Sequence, residues 1–240
     1  MLVRKWVHSS TGSVTIGRDA VIQYAVAIVT TVLVLGSLVP ILYQSLVDRP
    51  LYDAGKTLTL SNYLRLLRSP DFHKVVLDTL VFAILTTLIA VGIGTILAVL
   101  IGRTDVPGSR FFDEMILWPL YLSPLVVAFA WVITYGPSGY VTTWIQQVIG
   151  RVPWNLYTVP GMALAAAVAQ APLAYLYARS SVVVMDSSLE DAARIAGAGP
   201  LRSFFAITLP LMRPPVLYST VLVFTASLEL LSMPLILGNP

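Results

Sequence analysis

The strongest constraint on this chain is a succession of long stretches almost without charge. Residues 21–47 carry none, and residues 79–101 read TLVFAILTTLIAVGIGTILAVLI. Residues 115–133, 159–178 and 216–237 follow, the last with one acid, Glu229. A helix rises about 1.5 Å per residue, so about 20 apolar residues cross the roughly 30 Å of hydrocarbon in a bilayer. Buried strands of soluble proteins are much shorter, about four to eight residues. In lipid no water satisfies the backbone, and only a helix pairs its own amides and carbonyls over such a stretch. The chain therefore reads as all-α, a multi-pass transmembrane helical bundle with a lipid bilayer as its solvent.

Composition agrees. Of 240 residues, 57% are hydrophobic and 11% charged. A soluble domain carries about 25% charged residues, and halving that leaves too little polar surface to coat a globule in water. The first apolar stretch is too long for a signal-peptide core, and no small-residue cleavage site follows it, so it reads as a retained helix. Prolines 40, 119, 124, 172 and 234 fall within or near the spans. Neighbouring helices tolerate such kinks by satisfying the freed carbonyls.

Several function classes are excluded. There is no cysteine, and the two histidines, His8 and His73, are far apart. No disulfide framework, thiolate site or histidine-based metal site is expected, and no cofactor. The net charge is +3, but the basic residues lie between apolar stretches and form no stripe, so nucleic acid is not a partner. A membrane enzyme would need paired acids or a nucleophile with a base inside the spans, and Glu229 stands alone there.

Basic residues in short loops set orientation. With the N-terminal segment, residues 1–20, in the cytoplasm, nine of the fifteen Lys and Arg fall inside and six outside. Residues 21–240 then form the transmembrane domain. Ser61 is the expected N-cap of a short amphipathic helix ending at Leu67, before Pro70. The segment 136–157, with Tyr135, Tyr140, Trp144, Trp154 and Tyr157 in or beside it, is expected as a loop in the headgroup layer.

The informative segment is 187–215, SSLEDAARIAGAGPLRSFFAITLPLMRPP, between the fourth and fifth apolar stretches. Ser187 and Glu190 have the spacing of a capping box. Glu190 and Asp191 occupy a first turn, where the helix dipole favours anions. Ala192 and Ala193 are strong helix formers. Gly197 suits the left-handed residue that ends a helix, and Pro200 the first position of the next. That second helix is expected to run to Leu209, with Pro210, Pro214 and Pro215 ending it. The whole would be a bent, acid-tipped elbow, shaped either for docking into a groove on another protein or simply as an ordered loop.

The spacing Asp191-Ala192-Ala193-x3-Gly197-x9-Ile207-x-Leu209-Pro210 resembles the EAA loop of ABC importer permeases, with Asp191 where that family usually has Glu. TLSNYLRLL, IGRTDVPGSR, YGPSGY and ELLSMPLILGNP resemble the iron(III)-type permeases, whose relatives serve thiamine, phosphonates and polyamines. The resemblance implies a type I importer core in a bacterial inner membrane, with about five spans present. It implies that a second permease core pairs with this one and that an extracytoplasmic solute-binding protein delivers the cargo, ferric iron or a related small solute. It also implies that Glu190, Asp191, Ala192, Ala193, Gly197, Ile207, Leu209 and Pro210 dock on cytosolic ABC ATPase subunits. The chain itself has no G-x-x-x-x-G-K-[ST] phosphate loop, so ATP hydrolysis belongs to that partner. Such permeases usually have six spans per half, so a chain stopping at Pro240 is expected to be a fragment of a first half.

Two polar residues in the spans are candidate pathway residues. An acid at mid-membrane costs roughly 2.5–3.5 kcal/mol, so Glu229 either lines the pathway or holds a gate, or lies near the outer interface, where water or a pairing base offsets the cost. Gln170, beside Pro172, either faces the pathway or bonds a neighbouring helix. A channel or membrane anchor without ATPase coupling is the alternative function, and it would not require the elbow.

Overall fold

The structure is a computed structural model that describes residues 18–238 except 51, 54, 105 and 187. The chain divides into two compact units, residues 1–72 and 73–240. In the first, α1 spans Arg18–Ser45 and α2 spans Ser61–Arg68. Apolar side chains cover every face of α1, and within the protein they are exposed. A polar clasp joins its C-terminal end to α2. The Asn62 amide donates to the Val47 carbonyl at 2.8 Å, and the Tyr63 hydroxyl to Ser45 Oγ at 2.7 Å. Asp48 Oδ1 accepts from the Thr57 amide at 2.9 Å, a bond that holds its carboxyl below the ordinary range. Ser61 is not the N-cap. It is the first helical residue, and Thr59 Oγ1 accepts its amide at 3.1 Å.

In the second unit, α3 (Pro70–Arg103) and α7 (Val159–Val184) form the central pair. They cross through small residues. A Cβ on Gly94 would lie 2.7 Å from the Ala171 carbonyl oxygen and the Tyr175 amide nitrogen, so only hydrogen fits there. Ala90 and Ala98, four residues to either side, are fully buried, as are Ala167, Ala174 and Ala178 on the facing helix. Without a hydrophobic force between helices in lipid, close backbone contact of this kind supplies the packing energy. The helix α11 (Arg213–Glu229) packs along α7, and α12 (Ser232–Leu237) packs against α7 and α5 (Pro124–Tyr135) through the buried Met233 and Leu237.

Among the described residues four helical segments are long and apolar enough to cross a membrane, or five if a bent pair counts as one. This supports the all-α reading and corrects three boundaries. The expected span 115–133 is broken: α4 (Ser109–Leu117) leads through a short 3₁₀ turn (Trp118–Tyr121) to an extended Leu122-Ser123 before Pro124. The ring of Pro124 disfavours a helical residue before it, and Ser123 takes ψ 135°. The apolar segment that meets the length requirement is Pro124–Ile149. The expected headgroup loop accordingly contains a helix, α6 (Tyr140–Ile149), ended by Gly150 at φ 77°. Its aromatics partly pack on α5: the Trp154 indole donates to the Tyr135 carbonyl at 3.1 Å, edge-on to that ring. The fifth stretch breaks at Leu230-Leu231. Pro234 has no N–H for the Leu230 carbonyl, so α11 and α12 do not fuse.

Candidate functional site: the elbow and its foot

The elbow is built locally. Its first arm is α8 (Ser188–Ile195). Asp186 Oδ1 accepts the Ser188 amide at 2.9 Å, which organises the helix start and keeps that carboxyl below its ordinary range. The proposed Ser187 cap and the side chain of Glu190 lie outside the described residues. At the other end Gly197 takes φ 79°. Its amide donates to the Arg194 carbonyl and the Ala198 amide to the Ala193 carbonyl, both at 2.9 Å. This pair of bonds is a Schellman cap. It gives the Ala-x3-Gly spacing a physical meaning, because the second alanine supplies the carbonyl that the residue after the glycine must reach.

The second arm, Pro200–Leu211, is α9 (Pro200–Ser203), a π turn (Phe204–Thr208) and α10 (Leu209–Leu211). In the π turn the Leu209 amide bonds the Phe204 carbonyl, one residue further back than in an α-helix. Pro210 sits inside this arm and does not end it. Its missing N–H leaves the Ala206 carbonyl without an α-helical donor, and widening the turn accommodates the ring. The break comes at Met212, where the arm meets α11 at 71°. Pro214 and Pro215 then begin α11, where missing amides cost nothing.

Asp191 is exposed and pairs loosely with Arg194 at 3.5 Å. Ala192 and Gly197 are exposed, while Ile207, Leu209 and Pro210 are half-buried. At the corner Ile195 is 90% and Leu201 74% exposed, so the tip shows apolar knobs near the exposed Asp191. Met212, by contrast, is fully buried in a cluster with Ala98, Tyr175, Ala178 and Val182. The elbow thus has a bare tip and a gripped foot.

Sequence reasoning missed the polar cluster beside that foot. Asp113 on α4 accepts hydrogen bonds from Arg179 Nε at 3.3 Å and Nη2 at 3.2 Å, and from the Tyr175 hydroxyl. Tyr175 and Arg179 stand one turn apart on one face of α7, the only local signal the sequence offers. Nearby, Arg103 at the end of α3 donates to the Met185 carbonyl at 2.8 Å. These contacts join the ends of α3, α4 and α7 where the elbow begins.

The two candidate pathway residues are not brought together by any hydrogen bond among the described residues. Glu229 is exposed, on the last residue of α11 before the break, and Gln170 is half-buried on α7. Among the described residues no three His, Asp or Glu converge as a metal site.

Comparisons place this architecture. The family described as "Binding-protein-dependent transport system inner membrane component" matches residues 90–240. The chain belongs to that family, and is a multi-pass inner-membrane permease subunit of an ABC importer, not itself catalytic. It is 34% identical over 163 residues to the molybdenum transport system permease protein ModB of Escherichia coli K12, covering 68% of this chain and 70% of that one. It is 28% identical over 193 residues to a putative ferric transport system permease protein, FbpB 1, of Haemophilus influenzae, covering 78% of this chain but 30% of that longer one. The fold resembles the crystal structure of a bacterial ABC transporter that imports the acidic polysaccharide alginate, with TM-score 0.71, 19% identity, and 89% of this chain and 75% of that one covered. Importers of this family work generally with ATPase and binding-protein partners.

Proposed function

We propose that the elbow, residues 187–215, is where a cytosolic ATPase drives this permease, and that Glu190, Asp191, Ala192, Ala193, Gly197, Ile207, Leu209 and Pro210 form or shape the contact. One observation carries the reading: a capped corner exposes Ile195 and Leu201 near Asp191, while its foot at Met212 is locked into the bundle. A bare apolar tip suits a groove on a partner. Because a nucleotide-driven partner can bias only states it contacts differently, the tip must be seated differently before and after ATP hydrolysis.

On this reading the elbow and residues 1–20 face the cytoplasm, a second permease core completes the pathway, and an extracytoplasmic protein delivers the cargo. Glu229 lines that pathway. It stands at a helix C-terminus, where the dipole disfavours an anion, beside non-helical backbone of the kind lipid tolerates only along a cavity or against protein. Gln170 is a second, weaker pathway candidate. The cargo is ferric iron or a related small solute. The iron(III)-type motifs and the wide alignment with a ferric permease favour ferric iron, and the higher identity to a molybdenum permease favours a molybdenum oxyanion.

The chain has no native cysteine, so the test is direct. A single cysteine at Gly197 or Leu201 in the complete transporter should react with an impermeant thiol reagent only from the cytoplasmic side, and ATPase binding should protect it. Asp191→Lys with Glu190→Lys should leave insertion intact and abolish coupled uptake. Labelling from outside, or normal uptake by the double variant, would overturn the assignment. The cargo is identified by titrating the cognate binding protein with ferric iron and with molybdate.

A further inference from the structure

The amphipathic helix α2 leaves its apolar face bare within the protein. None of its eight residues is buried, and Tyr63, Leu64, Leu66 and Leu67 are between 44% and 58% exposed. At about 100° per residue these four share an arc of about 160°, and Ser61, Asn62, Arg65 and Arg68 fill the arc opposite. A helix this short is marginal in water, where about 12–15 residues are needed even for good helix formers. Its greasy face therefore needs an apolar cover. The clasp shows where that face stands. It ties the first turn of α2 to the end of α1, because the Asn62 side-chain amide donates to the Ser45 and Val47 carbonyls at 3.3 and 2.8 Å. Ser45 ends a segment, Ala20–Ser45, that is apolar enough to cross a membrane and has no part buried in the protein. The helix α2 is thus bonded to the rim of a span, and one residue past Arg68 the helix of the next span begins at Pro70.

We propose that α2 is a membrane-surface float, lying in the plane of the bilayer with Tyr63, Leu64, Leu66 and Leu67 in the boundary between headgroups and acyl chains. Continuity with the lipid around α1 selects this cover over a protein. A helix with leucines on one face and arginines on the other matches the interfacial class, whose apolar face sinks about 5–10 Å into that boundary. Arg65 and Arg68 keep their charged heads in the wet layer while their stems run along the apolar edge. Arg65 also donates to Asn62 Oδ1 at 3.4 Å, and Asp71 lies in the first turn of α3, close after Arg68. The seat is therefore held by apolar area and not by headgroup charge. Because α1 is bare within the protein, the clasp makes this float the marker of the depth at which α1 ends. The float needs a bilayer, but neither the elbow's docking nor a particular leaflet, so it can fail while coupling stands.

The chain has no native cysteine, so single spin labels can be placed at Leu64, Arg65, Leu67 and Arg68 of the complete transporter, in nanodiscs of phosphatidylcholine and of phosphatidylglycerol. Relaxation by oxygen, which partitions into lipid, is compared with relaxation by a water-soluble nickel chelate. Labels at Leu64 and Leu67 should favour oxygen several-fold, at depths about 5–10 Å beneath the phosphates. Labels at Arg65 and Arg68 should favour nickel. Both lipids should give the same pattern, and adding the cognate solute-binding protein should leave it unchanged. Asn62→Ala with Tyr63→Phe cuts the clasp and keeps the apolar face. In that background the Leu64 and Leu67 labels should stay in lipid while a label at Leu42, near the end of α1, shifts in depth. Nickel favoured at all four sites, low access of both reagents to Leu64 and Leu67 (the mark of a protein cover), or a pattern seen only in phosphatidylglycerol would overturn the proposal. An unmoved Leu42 label would overturn the depth-setting role. Each label replaces an exposed side chain, and a frayed helix would give four equal ratios, which also counts against the float.

Discussion

The amide of Ala198 lies 2.9 Å from the carbonyl oxygen of Ala193, across a glycine held at φ 79°. That closure turns the chain through the elbow and fixes the angle at which Ile195 and Leu201 project.

Gly197→Ala should therefore destabilise the corner by about 1 kcal/mol, the cost of forcing an L side chain into the left-handed region. Nothing lies within 4 Å of the added carbon, so the effect is conformational and not steric. ATP hydrolysis by the assembled transporter should continue while uptake per ATP falls. Gly197→Pro, which cannot take a positive φ at all, should lose coupling completely. Parallel assays of ATPase and uptake rates check this, and unchanged coupling in the proline variant would refute it.

The α3–α7 crossing makes a sharper demand. Gly94→Ala puts a methyl group into backbone atoms of α7 and should cost about 1–3 kcal/mol by overpacking. Gly92→Ala, two residues away with nothing within 4 Å, should be neutral or slightly stabilising, because alanine is the better helix former. Thermal unfolding of the two variants in one detergent separates the cases. Equal midpoints would mean the helices are not in backbone contact.

Asp113 gives a prediction with a pH signature. Partial burial pushes its carboxyl up, but the hydrogen bonds from Arg179 and Tyr175 and the guanidinium charge together hold it below the ordinary carboxylate range. Stability from a depressed pKa is complete above about pH 4, the ordinary range, and is lost as pH falls through the folded value below it. Asp113→Asn should cost about 1–2 kcal/mol at pH 7, toward the low side for a charged hydrogen-bond network because water reaches both partners. The gap between variant and wild type should narrow only on acidification below about pH 4. A gap indifferent to pH would assign the loss to packing instead.

Glu229→Gln keeps the shape and removes the charge. If the acid faces the pathway, insertion, ATPase binding and elbow labelling should persist while uptake falls at least several-fold. Uptake at the wild-type rate would return Glu229 to an interfacial role.

The parts of this molecule that sequence revealed are those built from near neighbours. The spans at α1, α3 and α7 follow from runs of apolar residues, and both elbow bonds close within five residues, so Gly197 and Pro200 announced the corner. The third and fifth spans were misplaced because apolar composition says nothing about where a proline withholds an amide. Ser123-Pro124 and Pro234 set those breaks, and the missing Leu230 partner is visible only once the helix is built. The partners of Asp113 were invisible for a plainer reason. They lie 62 and 66 residues away, and no periodicity links α4 to α7. Likewise the alanines around Gly94 look like ordinary helix formers until a second helix is laid against them.

The 71° bend at Met212 has a mechanical consequence. With that residue clamped between its neighbours, the two limbs form a crank on a fixed pivot. A thrust along the lower limb is turned mostly into sideways swing of the upper one. Sliding a span along its own axis would drag charged ends such as Arg213 into oil, whereas leaning it over costs a bilayer little. If the elbow is the coupling site, a stroke at its tip should thus reach the lipid as a change of tilt, not as a piston.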